Sequence, residues 1–175
     1  RPHPAGGEEM AIVIENDGKD ALCEQIKAHP NPENITAEEL FFTIREAGLV
    51  GMGGATFPTG VKAILSLKNI DTLIINACEC EPYITADDAL MIAEPKRILS
   101  GVELLRSALA PEKTIIAVED NKKEAAAILK EHLKEHEGIT LSVLPTRYPQ
   151  EAEKQLVKVV TGREVPAGSL PRDVR

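Results

Sequence analysis

The stretch Gly51-Met52-Gly53-Gly54-Ala55-Thr56-Phe57-Pro58-Thr59-Gly60-Val61-Lys62 combines missing side chains with one placed cation. Glycine backbone approaches a flat or anionic ligand closely, reaches positive φ and turns its N–H groups inward. Lys62 adds the charge, so the chemistry suited is phosphate or nucleotide binding. A dinucleotide fingerprint would need a glycine where Thr56 stands and a strand leading in, whereas Leu40 to Gly48 reads as helix. A Walker-type loop fails as well: Gly54 and Gly60 are too far apart, and Ala63 follows the lysine. The plain alternative is a tight turn between packed helices.

A second stretch, Asn76-Ala77-Cys78-Glu79-Cys80-Glu81-Pro82, follows the apolar run Thr72 to Asn76. In an open α/β sheet, ligands bind at the carboxyl ends of the strands. Glu79 and Glu81 at such an end can accept hydrogen bonds from a ribose or an amide; they read equally well as solvated loop charges. Cys78 and Cys80 are half of a four-ligand metal set, but neither Cys23 nor any histidine forms a matching pair, so no metal site is expected. His132 and His136 sit on a Lys/Glu-rich helix whose solvated face accounts for them. No Ser-His-Asp or Cys-His spacing supports a hydrolase, and no catalytic side chain is assigned.

The elements that would hold these stretches are legible in order. Met10 to Glu15 predicts a strand turned at Asn16-Asp17-Gly18, and Ala21 to Ala28 a short amphipathic helix closed by Pro30 and Pro32. Thr36-Ala37-Glu38-Glu39 is a capping box opening a helix with Leu40, Phe41, Ile44 and Ala47 on one face and Gly48 as its stop. Thr59 to Leu67 can run as a helix leaving the glycine loop. Strands are expected at Thr72 to Asn76, Thr114 to Val118 and Thr140 to Leu144. Helices are expected from Pro95 to Leu109, after a cap at Asn121, and from Glu151 to about Val160. Alternating strands and helices predict an α/β domain with a mainly parallel sheet. Residues 1–9 read as a linker, 10–165 as the domain, and 166–175 as a loop leading on.

The 175 residues are 43% hydrophobic, enough for one domain with a real core. Aromatics are 3%, Trp is absent and the net charge is −8, which argues against a nucleic-acid partner. Three cysteines do not make a disulfide framework and suggest a reducing compartment. No apolar run reaches the roughly 18 residues of a membrane span, so the segment itself is expected to be soluble.

The loop Gly51 to Lys62, the stretch Asn76 to Pro82, and Tyr148-Pro149-Gln150 with Glu153-Lys154-Gln155-Leu156 together resemble the C subunit of the Rnf ion-translocating ferredoxin:NAD oxidoreductase. More distantly they are similar to the NADH-binding flavoprotein subunit of respiratory complex I. The resemblance implies a Rossmann-like three-layer α/β domain that binds FMN and NAD(H), with the flavin accepting the hydride. It implies Gly51, Gly53, Gly54 and Thr56 as the FMN cradle, Lys62 as the phosphate contact, and Asn76 and Glu79 along the flavin. Phe57 and Glu81 would help position NADH, and Glu153 would lie near the flavin. It further implies partner subunits of a membrane redox complex, a peripheral place at the cytoplasmic face, and [4Fe–4S] clusters in parts of the protein beyond this segment, which has no Cys-x₂-Cys-x₂-Cys run. The alternatives are a flavin-free scaffold of the same fold, or a homologue serving a soluble reductase. The sequence departs from the complex I pattern at Met52, Thr56 and Cys78, and from the Rnf pattern at Glu151-Ala152, where a glycine is usual.

Overall fold

The computed structural model describes residues 6–8, 10–19, 21, 23–24, 27–52, 56–61 and 70–174. Two compact units are present, Arg1–Pro30 and Asn31–Arg175.

In the first unit the Asn16-Asp17-Gly18 turn forms as expected. Asn16 Oδ1 accepts from the Gly18 N–H at 2.6 Å, and Gly18 takes φ +71°. The strand expected at Met10 to Glu15 is not formed. Met10, Ile12, Val13 and Ile14 are exposed, and among the described residues no strand pairs with them, so β propensity alone does not hold a strand. Nor is the Ala21 to Ala28 helix present at its described positions, where Ala21, Cys23, Lys27 and Ala28 are irregular and Glu24 lies in a turn. So short a helix is marginal in water.

The second unit carries the α/β body. Helix α1, Ala37–Glu46, begins with the capping box: the Glu39 N–H donates to Thr36 Oγ1 at 3.2 Å, and the Thr36 N–H to Glu39 Oε2 at 2.9 Å. Gly48, at φ +65°, ends it; the N–H groups of Gly48 and Leu49 return to the carbonyls of Arg45 and Ile44, a Schellman stop. Residues 59–61 are helical, and the rest of the expected Thr59 to Leu67 helix lies outside the described residues. Then follow β1 (Thr72–Ala77), α2 (Ala86–Ala93), α3 (Pro95–Leu109), β2 (Lys113–Glu119), α4 (Lys123–His132), β3 (Ile139–Leu144) and α5 (Glu153–Thr161).

The strands form one parallel sheet in the order β1-β2-β3, with Asn76 opposite Ala117 and Ala117 opposite Ser142. Alternation along β2 sorts its side chains into two cores. Ile116 and Val118 pack with Met91, Leu99, Val102, Ala125 and Leu129 from α2, α3 and α4. Ala117 packs with Cys78, Leu144 and Leu156 of α5 on the other face, giving three layers. Phe41 and Leu40 seal α1 against α3 near Leu104, Leu105 and Leu109. No described helix is long and apolar enough to cross a membrane.

Two details differ from expectation. Asn121 does not cap α4; the cap position is Lys122, whose donor-only ammonium cannot accept from the helix N–H groups and pairs with buried Glu79 instead. Helix α2 is absent from the expected elements, although Thr85-Ala86-Asp87-Asp88 repeats the Thr-x-x-acid pattern that opens α1; Thr85 makes no cap bond, and the Asp87 and Asp88 N–H groups go to Glu79.

Candidate functional site

Among the described residues, backbone hydrogen bonds close the loop from Leu49 to Thr59. The Thr59 N–H donates to the Leu49 carbonyl at 2.9 Å, the Gly51 N–H to the Phe57 carbonyl at 2.8 Å, and Val50 bridges Pro58 in antiparallel fashion. Thr56 is held at φ +45°, while Met52 is fully exposed and Phe57 partly so. Gly53, Gly54 and Lys62 lie outside the described residues. Gly60 has a packing role: a Cβ there would lie 3.1 Å from Arg45 Cβ and 3.3 Å from Arg45 Cα, so bare backbone seats the loop exit against α1.

The carboxyl end of β1 is organised by side chains from distant parts of the chain. Asn76 Nδ2 donates to the Glu151 carbonyl at 3.0 Å, and its Oδ1 accepts from the Cys78 N–H at 3.2 Å. The Glu79 N–H donates to Glu119 Oε2 at 3.1 Å, and the Cys80 N–H to Glu151 Oε2 at 3.1 Å. Glu79 itself is buried. Its carboxylate accepts from the Asp87 N–H at 2.9 Å, the Asp88 N–H at 3.4 Å and Lys122 Nζ at 3.2 Å. It thus supplies acceptors for the first turn of α2, whose cap residue Thr85 makes no side-chain bond.

The electrostatics follow from this geometry. Burial pushes the Glu79 carboxyl up, but the amides of Asp87 and Asp88 and the Lys122 ammonium outweigh it and hold the group below the ordinary range. Asp87 is raised by burial and by the charges of Glu79 and Glu151. Cys78, buried with Sγ 3.6 Å from the Ala117 carbonyl, is pushed up to about 12 by burial and then by Glu119, Cys80 and Glu151, which makes it an inert thiol. Glu119 is fully buried, and its Oε1 has no partner.

A cavity of about 580 Å³ runs along β1. Leu73, Leu105 and Leu156 are among its apolar walls, and Thr59, Asn76 and Glu153 among its polar lining. It brings together the loop exit, the end of β1 and the start of α5, three segments far apart in sequence. Gly51, Thr56, Phe57, Glu79 and Glu81 are not among its lining residues; Glu81 is exposed in the turn after β1. Cys80, Glu81 and Glu151 place one thiol and two carboxylates within 4.8 Å of one another, the one such group of three among the described residues.

Lys122 and Glu119 were not foreseen. Their signal was the polar run Glu119-Asp120-Asn121-Lys122 directly after an apolar strand, the same pattern that drew attention to Asn76 to Pro82.

Residues 44–175 match the family model described as the Nuo51 FMN-binding domain. The chain belongs to this family.

Among curated relatives, this Nuo51-family chain is 48% identical to the C subunit of the proton-translocating ferredoxin:NAD(+) oxidoreductase complex of Clostridium ljungdahlii, over 99% of this chain and 38% of that protein. It is 46% identical to the C subunit of the ion-translocating oxidoreductase complex of Serratia proteamaculans, over 95% of this chain and 24% of that one. The chain therefore spans well under half the length of these relatives. The fold also matches a crystal structure of an NAD+-reducing [NiFe]-hydrogenase in the air-oxidized state, with TM-score 0.64 and 24% identity over 77% of this chain and 25% of that one. The Rossmann-like, mainly parallel α/β reading agrees with this match.

Proposed function

We propose that the chain is the FMN- and NADH-binding module of an Rnf-type C subunit, passing electrons between NAD(H) and a membrane-bound redox complex. The observation that carries the reading is the cavity along β1, in which Thr59, Asn76 and Glu153 meet. Its volume lies in the range of about 300–1,000 Å³ typical of small-molecule sites. Apolar walls with a few polar groups suit a flat heteroaromatic ring that needs hydrogen bonds along one edge. The residues present therefore fit a flavin.

In this reading Asn76 and Glu153 contact the flavin from the cavity, and Gly51, Gly53, Gly54 and Thr56 cradle its ribityl phosphate with Lys62 as the cation. Glu79 acts from its buried position by fixing the backbone that borders the ring. Phe57 and Glu81, both exposed, receive the nicotinamide nucleotide. Bound FMN would accept a hydride and release single electrons, so the chain's own residues need only bind, orient and exclude water. Onward transfer of those electrons would be the work of [4Fe–4S] clusters in parts of the full protein outside this segment, at the cytoplasmic face of the membrane.

One observation favours a second reading, a flavin-free interaction module. Glu151, which lines the cavity, turns its carboxylate onto the Cys80 N–H and so occupies a backbone donor that a ligand could otherwise use. The two readings separate in a titration of FMN with the chain, followed by quenching of flavin fluorescence and then by flavin absorbance after NADH is added without oxygen. Saturable quenching followed by bleaching is the expected result. A folded chain that leaves flavin fluorescence unchanged overturns the flavin reading, and binding gained only in Glu151→Gly assigns the closure to that side chain.

A further inference from the structure

The Glu79–Lys122 pair joins the turn after β1 to the turn after β2 at the carboxyl edge of the sheet, with side chains only 4% and 8% exposed. Six carboxylates gather in this region: Glu79, Glu81, Asp87, Asp88, Glu119 and Glu151. Lys122 is the cation paired within it. Its ammonium touches the one carboxylate that also holds two N–H groups of the first turn of α2. A buried carboxylate so placed is strongly disfavoured by desolvation unless a cation and donors meet it.

We propose that Lys122 is the positioning residue of the site: by pinning the Glu79 carboxylate it locks the turn Cys78 to Ile84 and the start of α2 into the one arrangement a bound nucleotide cofactor reads. The inference deepens the flavin reading, in which the backbone beside Asn76 borders the ring. Lys122 needs no contact with the cofactor; it acts through Glu79.

The groups facing Glu79 are the Lys122 ammonium from the turn before α4, the Asp87 and Asp88 amides and the Asp87 carboxylate from α2, and the Glu119 carboxylate from the end of β2. With Lys122 in place, the folded-state pKa of Glu79 lies below its unfolded value. Its stabilisation is therefore complete above the unfolded value and is lost as pH falls through the folded one. In Lys122→Met the ammonium's lowering is lost while the Asp87 and Asp88 amides remain, so the folded value moves up and the stabilisation that Glu79 gives above it shrinks.

The test uses Lys122→Met, Lys122→Arg and Lys122→Met/Glu79→Gln, each checked for native circular dichroism. FMN affinity is measured across the acidic to neutral range, and the Glu79 carboxyl is followed in each folded chain by carbon NMR. Lys122→Met is expected to weaken FMN binding at least tenfold at neutral pH and less at acidic pH, and to move the Glu79 titration upward. Lys122→Arg is expected to restore most of the affinity, and the double variant part of it, since no uncompensated charge is then buried. A Lys122→Met chain with unchanged Glu79 titration overturns the proposal. So does a loss of FMN binding that neither pH nor arginine alters, which marks a merely structural role. Should the native chain bind no FMN, the flavin reading fails by itself; the Glu79 titration and the exchange of the Asp87 and Asp88 amides still decide whether Lys122 is the lock.

Discussion

The glycine loop and the turn after β1 are both short, polar and rich in small or acidic residues, yet they are held in opposite ways. The loop is closed by its own backbone, through Thr59 to Leu49, Gly51 to Phe57 and the Val50–Pro58 bridge. The turn after β1 is held by Glu119, Lys122 and Glu151, which lie 40, 43 and 71 positions away in sequence from the residues they bind. A locally closed loop keeps its shape wherever its two ends are held together. A turn tied by distant carboxylates keeps its shape only while the whole sheet edge is assembled and those groups are charged.

The sharpest way to break this contrast is Glu79→Ala. It strands the Lys122 ammonium in a buried place and removes the acceptors of the first turn of α2, so a loss of about 3–5 kcal/mol is expected in urea unfolding. Amide exchange should quicken at Asp87 and Asp88 while Gly51 and Thr59 keep their protection. Equal loss of protection in both regions would show that they are one unit. The native chain should repeat this pattern on acidification, because the depressed Glu79 carboxyl withdraws its support as pH falls through its folded-state value.

A smaller effect is expected on the other side. Gly60→Ala drives a methyl to 3.1 Å from Arg45 Cβ and should cost about 1–3 kcal/mol by overpacking, read as a lowered melting temperature. The loop amides should be disturbed and those of Glu79 and Cys80 left alone. Smallest is Thr36→Ala, which removes the capping box of the helix feeding the loop and should cost about 1 kcal/mol in the same measurement. An undisturbed loop in that variant would show that α1 is held by Phe41 and Leu40 and not by its cap.

The same contrast explains what could be read in advance. α1 was legible to its ends because Thr36, Glu39 and Gly48 signal start and stop within a few residues. The three parallel strands were legible as apolar runs, and α3 from Pro95 and its apolar stripe. Helix α2 was missed although Thr85-Ala86-Asp87-Asp88 carries the same start signal as α1; the structure leaves Thr85 without a cap bond and hands the first N–H groups to Glu79. The cap assigned to Asn121 failed as well: the cap position falls on Lys122, whose ammonium donates to Glu79, 43 positions away, and offers the helix no acceptor. The strand expected at Met10 to Glu15 shows the opposite error, propensity without a partner among the described residues.

By itself, then, the sequence determined the elements whose signals are local: the capped helix α1, the apolar strands, the Asn16-Asp17-Gly18 turn and a glycine loop able to close on itself. Tertiary structure decided which charges meet. It buried Glu79 against Lys122, left Glu81 exposed, turned Glu151 onto Cys80 and gathered Thr59, Asn76 and Glu153 around one cavity. The physical reason is range: a backbone cap or turn is satisfied within a few residues, whereas a buried carboxylate is tolerable only where a parallel sheet brings a cation and free amides to it from elsewhere in the chain.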